Sequence, residues 1–127
     1  MKKIYLLGDD EDFLKMIQLI LRKKYIVKSS GNINYIHVDL AEFIPDLALV
    51  DHYSEIKDSQ KIISNIIRSY ISKSVPFILF SGSQDAEKRA NDLGAAGYII
   101  KPSSGYEIQK YIDNFFETRS KDDQVII

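Results

Sequence analysis

Apolar runs that end abruptly in polar side chains are the feature that most constrains how this chain folds. The run Leu47–Val50 is followed directly by Asp51, and a continuous apolar run is typical of a strand that is covered on both faces. Polar groups also follow apolar runs at Gly8-Asp9-Asp10, Phe80-Ser81-Gly82 and Ile100-Lys101-Pro102. The carboxyl ends of parallel strands gather at one edge of an open α/β sheet. We therefore expect three carboxylates, a hydroxyl and an ammonium to meet in one pocket.

The apolar runs alternate with longer amphipathic segments, a pattern that is typical of repeated β-α units. The predicted strands are Lys3–Leu7, Tyr25–Lys28, Leu47–Val50, Pro76–Phe80 and Tyr98–Ile100. Right-handed crossovers between such strands place helices on both faces of one parallel sheet. The sequence therefore predicts an α/β fold with a doubly wound, five-stranded parallel sheet.

Helices are predicted between the strands and after the last one. The segments are Asp12–Lys24, Asn34–Phe43, Ser59–Ile71, Gln84–Leu93 and a final helix capped by Ser103 or Ser104. Asn34–Phe43 is ambiguous, because its β-branched residues weaken a helical prediction. Ser83 can cap the fourth helix and Gly94 can end it.

Length and charge limit the classes of protein to which the chain can belong. A chain of 127 residues fits one domain, which we assign to residues 1–118 with a polar tail or linker at 119–127. The 17 basic and 18 acidic side chains nearly cancel, so no basic excess indicates nucleic acid or anionic lipid as a partner. Cysteine is absent, which excludes disulfides and thiolate chemistry. No run approaches the roughly 18 apolar residues of a membrane span, and we expect a cytoplasmic location.

The acidic side chains of the expected pocket need a cation. Asp9 and Asp10 alone also fit a helix N-terminus, where acids interact favourably with the helix dipole. Asp51, at the end of a buried strand, adds a further carboxylate. Two carboxylates about 4 Å apart repel by roughly 4 kcal/mol at an effective dielectric of about 20. Mg²⁺ fits such a cluster best, because it prefers hard oxygen ligands and binds through carboxylates and phosphate oxygens.

Lys101 and Ser81 can bind a phosphoryl group at the same edge. Lys101 follows the fifth predicted strand, and its ammonium is suited to holding a phosphoryl oxygen. The Ser81 hydroxyl can donate a hydrogen bond to the same group. Taken singly, Lys101 also fits a surface lysine that neutralises nearby acids, and Ser81 an ordinary turn serine.

Together these stretches resemble the receiver domain of two-component response regulators, of the chemotaxis type, over nearly the whole chain. The matching stretches are Leu7–Asp10, Pro45–Asp51, Phe80–Gly82 and Gly94–Pro102, in that order. The resemblance implies a flavodoxin-like fold with strand order 2-1-3-4-5.

The resemblance also implies phosphoryl transfer in a phosphorelay. A sensor histidine kinase or a histidine phosphotransfer protein would donate the phosphoryl group to Asp51, which would carry it as an acyl phosphate. Asp10, Asp51 and the backbone carbonyl of Tyr53 would bind Mg²⁺, and Asp9 would act on the metal directly or through water. Such a domain is a phosphoacceptor and not an enzyme, with at most self-phosphorylation and autodephosphorylation of its own.

By the same resemblance, Ser81 and Lys101 hold the phosphoryl oxygens, so that catalysis is positioning and charge compensation. Ser81 would then move towards the phosphoryl group and Tyr98 would swing inwards. These movements would remodel the face formed by the fourth helix, the fifth strand and the fifth helix. The partner of this face would be a downstream protein or a fused effector domain. The sequence leaves open whether the protein forms a homodimer. Without the resemblance, Tyr98 also fits a strand aromatic with a hydrated hydroxyl.

The segment that follows Asp51 departs from the family pattern. His52–Asp58 contains neither the usual Met-Pro pair nor the later glycine. This departure leaves open a receiver-like interaction module that does not depend on phosphorylation. A metal-dependent phosphohydrolase with Asp51 as nucleophile is a third reading. Such enzymes carry a second aspartate two residues further on, where this chain has Tyr53.

Overall fold

A five-stranded parallel sheet forms the centre of the protein, which we describe from a computed structural model. The description covers residues 1–8, 10–30, 35–51, 61, 64–65, 67–68, 75–82, 84–101 and 103–125, with side chains to residue 119. The strands are β1 (Lys3–Leu7), β2 (Ile26–Ser29), β3 (Leu47–Asp51), β4 (Phe77–Ser81) and β5 (Gly97–Ile100). All pairs are parallel and the order is β2-β1-β3-β4-β5. The predicted fold class and strand order are therefore confirmed.

Four helices lie within the described part of the chain. They are α1 (Glu11–Leu21), α2 (Ile36–Phe43), α3 (Ala86–Leu93) and α4 (Gly105–Val125). The ambiguous second segment is thus helical. The predicted helix at residues 59–71 lies mostly outside the described residues, as does Ser83. None of the described helices is long and apolar enough to cross a membrane.

The observed helix ends follow local capping chemistry. The N–H of Glu107 donates to Ser104 Oγ at 3.1 Å, so Ser104 is the cap of α4. Gly94 ends α3 with a φ of 78°, as glycine at this position allows. α4 continues to Val125, beyond residue 118, and the division into residues 1–118 and 119–127 stays a prediction.

Strand alternation divides the core between the two faces of the sheet. Ile4 and Leu6 of β1 pack towards α1 and α4, whereas Tyr5 and Leu7 pack towards α2 and α3. β3 alternates in the same way, with Leu47 and Leu49 on the first face and Ala48 and Val50 on the second. Asp51 continues the series of Leu47 and Leu49, which directs its side chain to the face that carries α1.

A buried tyrosine connects β1 to α2. The Tyr5 hydroxyl donates to Asp39 Oδ2 at 3.1 Å, and Lys28 Nζ of β2 lies 3.5 Å from Asp39 Oδ1. Burial raises the pKa of Tyr5, and the nearby Asp39 carboxylate raises it further. The phenol therefore keeps its proton, and with it this hydrogen bond, well above its ordinary titration range.

α2 ends at a residue with a strained backbone. Ile44 has a φ of 50°, in the left-handed region that β-branched residues rarely adopt, and the residue is 71% exposed. Glycine adopts this conformation without a steric penalty. We expect Ile44→Gly to raise the free energy of unfolding by about 1 kcal/mol, as measured by urea denaturation. Ile44→Ala keeps the Cβ and should gain less; an equal gain in both variants would contradict the strain.

Candidate functional site

A buried ion pair marks the carboxyl edge of the sheet. Lys101 Nζ lies 2.7 Å from Asp51 Oδ1, and the side chains of Lys101 and Asp51 are 19% and 0% exposed. Asp51 and Ser81 are buried polar residues in a core that is otherwise apolar. Burial of a charge is costly unless the charge is paired. The Lys101 ammonium compensates the charge of the buried Asp51 carboxylate.

Strand register brings these groups together. Asp51 ends β3 and lies opposite Phe80 of β4, and Ser81 lies opposite Ile100 of β5. The N–H of Lys101 donates to the carbonyl oxygen of Ser81 at 2.9 Å, which extends the β4–β5 pairing by one residue. Three adjacent strands therefore end in the carboxylate, the hydroxyl and the ammonium that the sequence predicted for one pocket.

Gly8, directly after β1, allows Asp51 its position. A Cβ added to Gly8 would lie 2.8 Å from the Cβ of Asp51 and 3.4 Å from its carbonyl oxygen. Sequence reasoning assigned no role to Gly8. The signal was available, since glycine next to a functional strand end often marks a close approach of two backbones.

The acidic residues after β1 are only partly described. Asp10 is exposed, and its Oδ1 accepts a hydrogen bond from the N–H of Phe13 at 3.1 Å, so Asp10 caps α1. Asp9 and Tyr53, two further predicted metal ligands, lie outside the described residues. Among the residues that are described, no three carboxylate or imidazole side chains group closely enough to hold a metal ion. Asp10 and Asp51 still supply the hard oxygen donors that Mg²⁺ prefers.

Tyr98 lies on β5, three residues before Lys101. Its ring is half-buried and packs against the apolar layer under α3. Its backbone N–H donates to the hydroxyl of Tyr111 on α4 at 3.2 Å. A Cβ on Gly97 would lie 2.1 Å from the same hydroxyl, so Tyr111 uses the space that Gly97 leaves. The role of Tyr111 was not foreseen from the sequence.

This parallel sheet of order β2-β1-β3-β4-β5, with Asp51, Ser81 and Lys101 at its carboxyl edge, defines a domain of the flavodoxin-like fold class. No family model matches the chain. The chain is 28% identical over 104 residues to the chemotaxis protein CheY of Halobacterium salinarum, an alignment that covers 80% of this chain and 87% of that protein.

Solved structures show the same fold. A response regulator receiver modulated diguanylate cyclase from Pelobacter carbinolicus superposes with a TM-score of 0.73 at 22% identity, covering 98% of this chain and 99% of that one. CheY4 of Vibrio cholerae superposes with a TM-score of 0.72 at 15% identity, covering 90% and 98%. The chain is therefore similar in sequence to a CheY protein and shares the fold of these response regulator structures.

Proposed function

We propose that this domain accepts a phosphoryl group on Asp51 from a phosphohistidine of a sensor histidine kinase or a histidine phosphotransfer protein in the cytoplasm. The observation that carries the proposal is the buried Asp51 carboxylate, 2.7 Å from the Lys101 ammonium. A buried ion pair contributes little net stability compared with apolar residues of similar volume. A pair retained at the ligand-binding edge of this fold therefore favours a chemical role.

The transfer exchanges one bond to phosphorus for another. A carboxylate oxygen of Asp51 attacks the phosphorus, the P–N bond of the phosphohistidine breaks, and the imidazole leaves with the electron pair. The product is an acyl phosphate on Asp51. The Lys101 ammonium compensates charge on the phosphoryl oxygens, and the Ser81 hydroxyl donates a hydrogen bond to them.

Asp10 and Asp51 would bind Mg²⁺ together with the Tyr53 carbonyl, and Asp9 would complete the acidic cluster. When bound, the metal compensates negative charge on the phosphoryl oxygens and orients them. Asp10 already accepts a hydrogen bond at one carboxylate oxygen from the N–H of Phe13. This contact fixes the carboxylate at the start of α1.

The α3–β5–α4 face, which runs over Ala86–Leu93, Gly97–Ile100 and the first turns of α4, would carry the output. Ser81 and Tyr98 would be the switch residues, Ser81 moving towards the phosphoryl group and Tyr98 turning inwards. The face exposes apolar and aromatic surface, with Ile100 53% and Tyr106 74% exposed. Such surface suits a protein partner, which would be a downstream target, a fused effector domain or a second copy.

The deciding experiment is incubation of the protein with acetyl phosphate and Mg²⁺, followed by intact mass spectrometry. We expect the mass to rise by one phosphoryl group, and we expect hydroxylamine to remove it, as it does an acyl phosphate. Asp51→Asn should abolish the increase, since an amide cannot form the acyl phosphate.

Asp46→Asn is the matched control, because Asp46 lies at the opposite end of β3. Its Oδ2 accepts a hydrogen bond from the N–H of Lys3 at 2.8 Å, and phosphorylation should be unchanged in this variant. A wild-type protein that gains no phosphoryl group would instead favour the interaction module. Mass gain that persists in Asp51→Asn would place the acceptor on another residue.

A further inference from the structure

We propose that the Phe13 ring is a positioning element for the Lys101 ammonium, so that an aromatic face completes the phosphoryl-binding pocket. The inference rests on the proposed function and assigns a further residue to the same site. Lys101 Nζ lies 3.8 Å from the centroid of the Phe13 ring. This distance is well inside the roughly 6 Å within which a cation is attracted to a ring face.

The ammonium is held between two different groups. The Asp51 carboxylate lies 2.7 Å from Nζ, and the Phe13 ring lies against Nζ as well. A lysine side chain has four flexible methylenes and loses considerable rotamer freedom when it is fixed. A second contact made by the same nitrogen atom reduces the number of positions that the ammonium can take. It therefore favours the position in which Nζ faces Asp51.

Phe13 is itself fixed by other parts of the pocket. Its backbone N–H is bound by the Asp10 carboxylate at 3.1 Å. Its ring meets that of Phe80 edge to face, with centroids 5.3 Å apart and an interplanar angle of 77°. Phe80 directly precedes Ser81 on β4. One residue of α1 thus contacts Lys101, the predicted metal ligand Asp10, and the strand that carries Ser81.

Apolar surroundings strengthen the contact between ring and ammonium. A cavity of 310 Å³ lies beside Lys101, and Phe13, Met16, Phe80 and Ile100 are among the residues that line it. Cation–π attraction is larger where the cation is desolvated, and the Lys101 side chain is only 19% exposed. The ring therefore orients the ammonium and also shields one side of it from water.

Phe13→Leu removes the ring but keeps an apolar side chain, and Phe13→Tyr keeps the ring face. We expect ring currents to shift the Lys101 ε-methylene protons upfield in the wild-type NMR spectrum and in Phe13→Tyr. The shift should be lost in Phe13→Leu. The rate at which acetyl phosphate modifies Asp51 should fall about twofold to thirtyfold in Phe13→Leu, which is the strength of one cation–π contact expressed as a rate ratio, and should be retained in Phe13→Tyr.

Phe115→Leu is the control for loss of a ring that contacts a cation elsewhere. Arg119 Cζ lies 5.3 Å from the Phe115 ring centroid on α4, and this variant should keep both the Lys101 shift and the rate. Absence of an upfield shift in the wild-type protein would overturn the contact, whether or not any variant folds. A shift lost in Phe13→Leu with an unchanged rate would overturn the positioning role. A wild-type protein that shows the shift but takes no phosphoryl group would refute the proposed function, and the role with it, while leaving the contact established.

Discussion

Gly8→Ala is expected to lower the free energy of unfolding by about 1–3 kcal/mol, the usual cost of overpacking a filled site. The new Cβ would lie 2.8 Å from Asp51 Cβ and 3.4 Å from the Asp51 carbonyl oxygen. These atoms belong to a buried strand end and not to the tip of a flexible side chain, so one of the two backbones must move. Urea denaturation followed by circular dichroism measures the change.

The same substitution should also impair the pocket, because displacement of Asp51 alters its 2.7 Å contact with Lys101. Modification of Gly8→Ala by acetyl phosphate should be several-fold slower than that of the wild type, a loss comparable to misplacement of a catalytic group by a fraction of an ångström. Gly94→Ala is the control. Gly94 has a φ of 78° and no neighbouring atom within 4 Å of an added Cβ.

Gly94→Ala should cost about 1–2 kcal/mol through backbone strain alone and leave the modification rate unchanged. Comparison of the two variants thus distinguishes a general loss of stability, expected for both, from displacement of Asp51, expected only for Gly8→Ala. If Gly8→Ala were as stable as the wild type and were modified at the same rate, the close approach between β1 and β3 would matter neither for stability nor for phosphoryl transfer.

Gly97→Ala should destabilise the domain by about 1–3 kcal/mol, and Tyr111→Phe should relieve most of this cost. With Tyr111 intact, a Cβ added at Gly97 would lie 2.1 Å from the Tyr111 hydroxyl oxygen, but 3.3 Å from the ring carbon that carries the hydroxyl. The hydroxyl would therefore have to leave, and the N–H of Tyr98 would lose the acceptor that it now has at 3.2 Å. Without the hydroxyl, the alanine methyl group fits with a small adjustment.

A double-mutant cycle measured by urea denaturation tests this expectation. Tyr111→Phe alone should cost about 1 kcal/mol, the usual net value of one hydrogen bond, and should speed hydrogen exchange at the Tyr98 amide. Tyr106→Phe is the control on the same helix, since Tyr106 is 74% exposed. Additive effects of Gly97→Ala and Tyr111→Phe would show that the two residues do not share this space.

Much of the fold could be predicted because a strand that is buried on both faces has apolar residues at every position. The runs Leu47–Val50 and Phe77–Phe80 are apolar at every position, and both are buried strands in the structure. The end of α3 at Gly94 could also be predicted, since a left-handed residue there favours glycine. The start of α3 was less certain, and it begins at Ala86 and not at Gln84, because several polar residues there can begin a helix.

The second helix shows where local pattern is ambiguous. Its apolar spacing fits a short helix, which its β-branched residues weaken, but Ile36 packs beneath the sheet face with Leu40 and Phe43. This packing outweighs local propensity, and the chain then accepts a left-handed Ile44 to reach β3. Tertiary contacts determine the secondary structure of such a segment, and these contacts cannot be predicted from the local sequence pattern.

Sequence alone was sufficient to place polar groups at the strand ends, because strand termini and apolar runs are local properties of the chain. It also predicted one site for Asp51, Ser81 and Lys101, whose roles stay a prediction. Only the tertiary structure shows that Lys101 pairs with Asp51, that Gly8 makes room for that carboxylate, and that Phe13 covers the ammonium. Each of these contacts joins residues far apart in the chain, and each depends on atomic distances that strand register and helix packing set together.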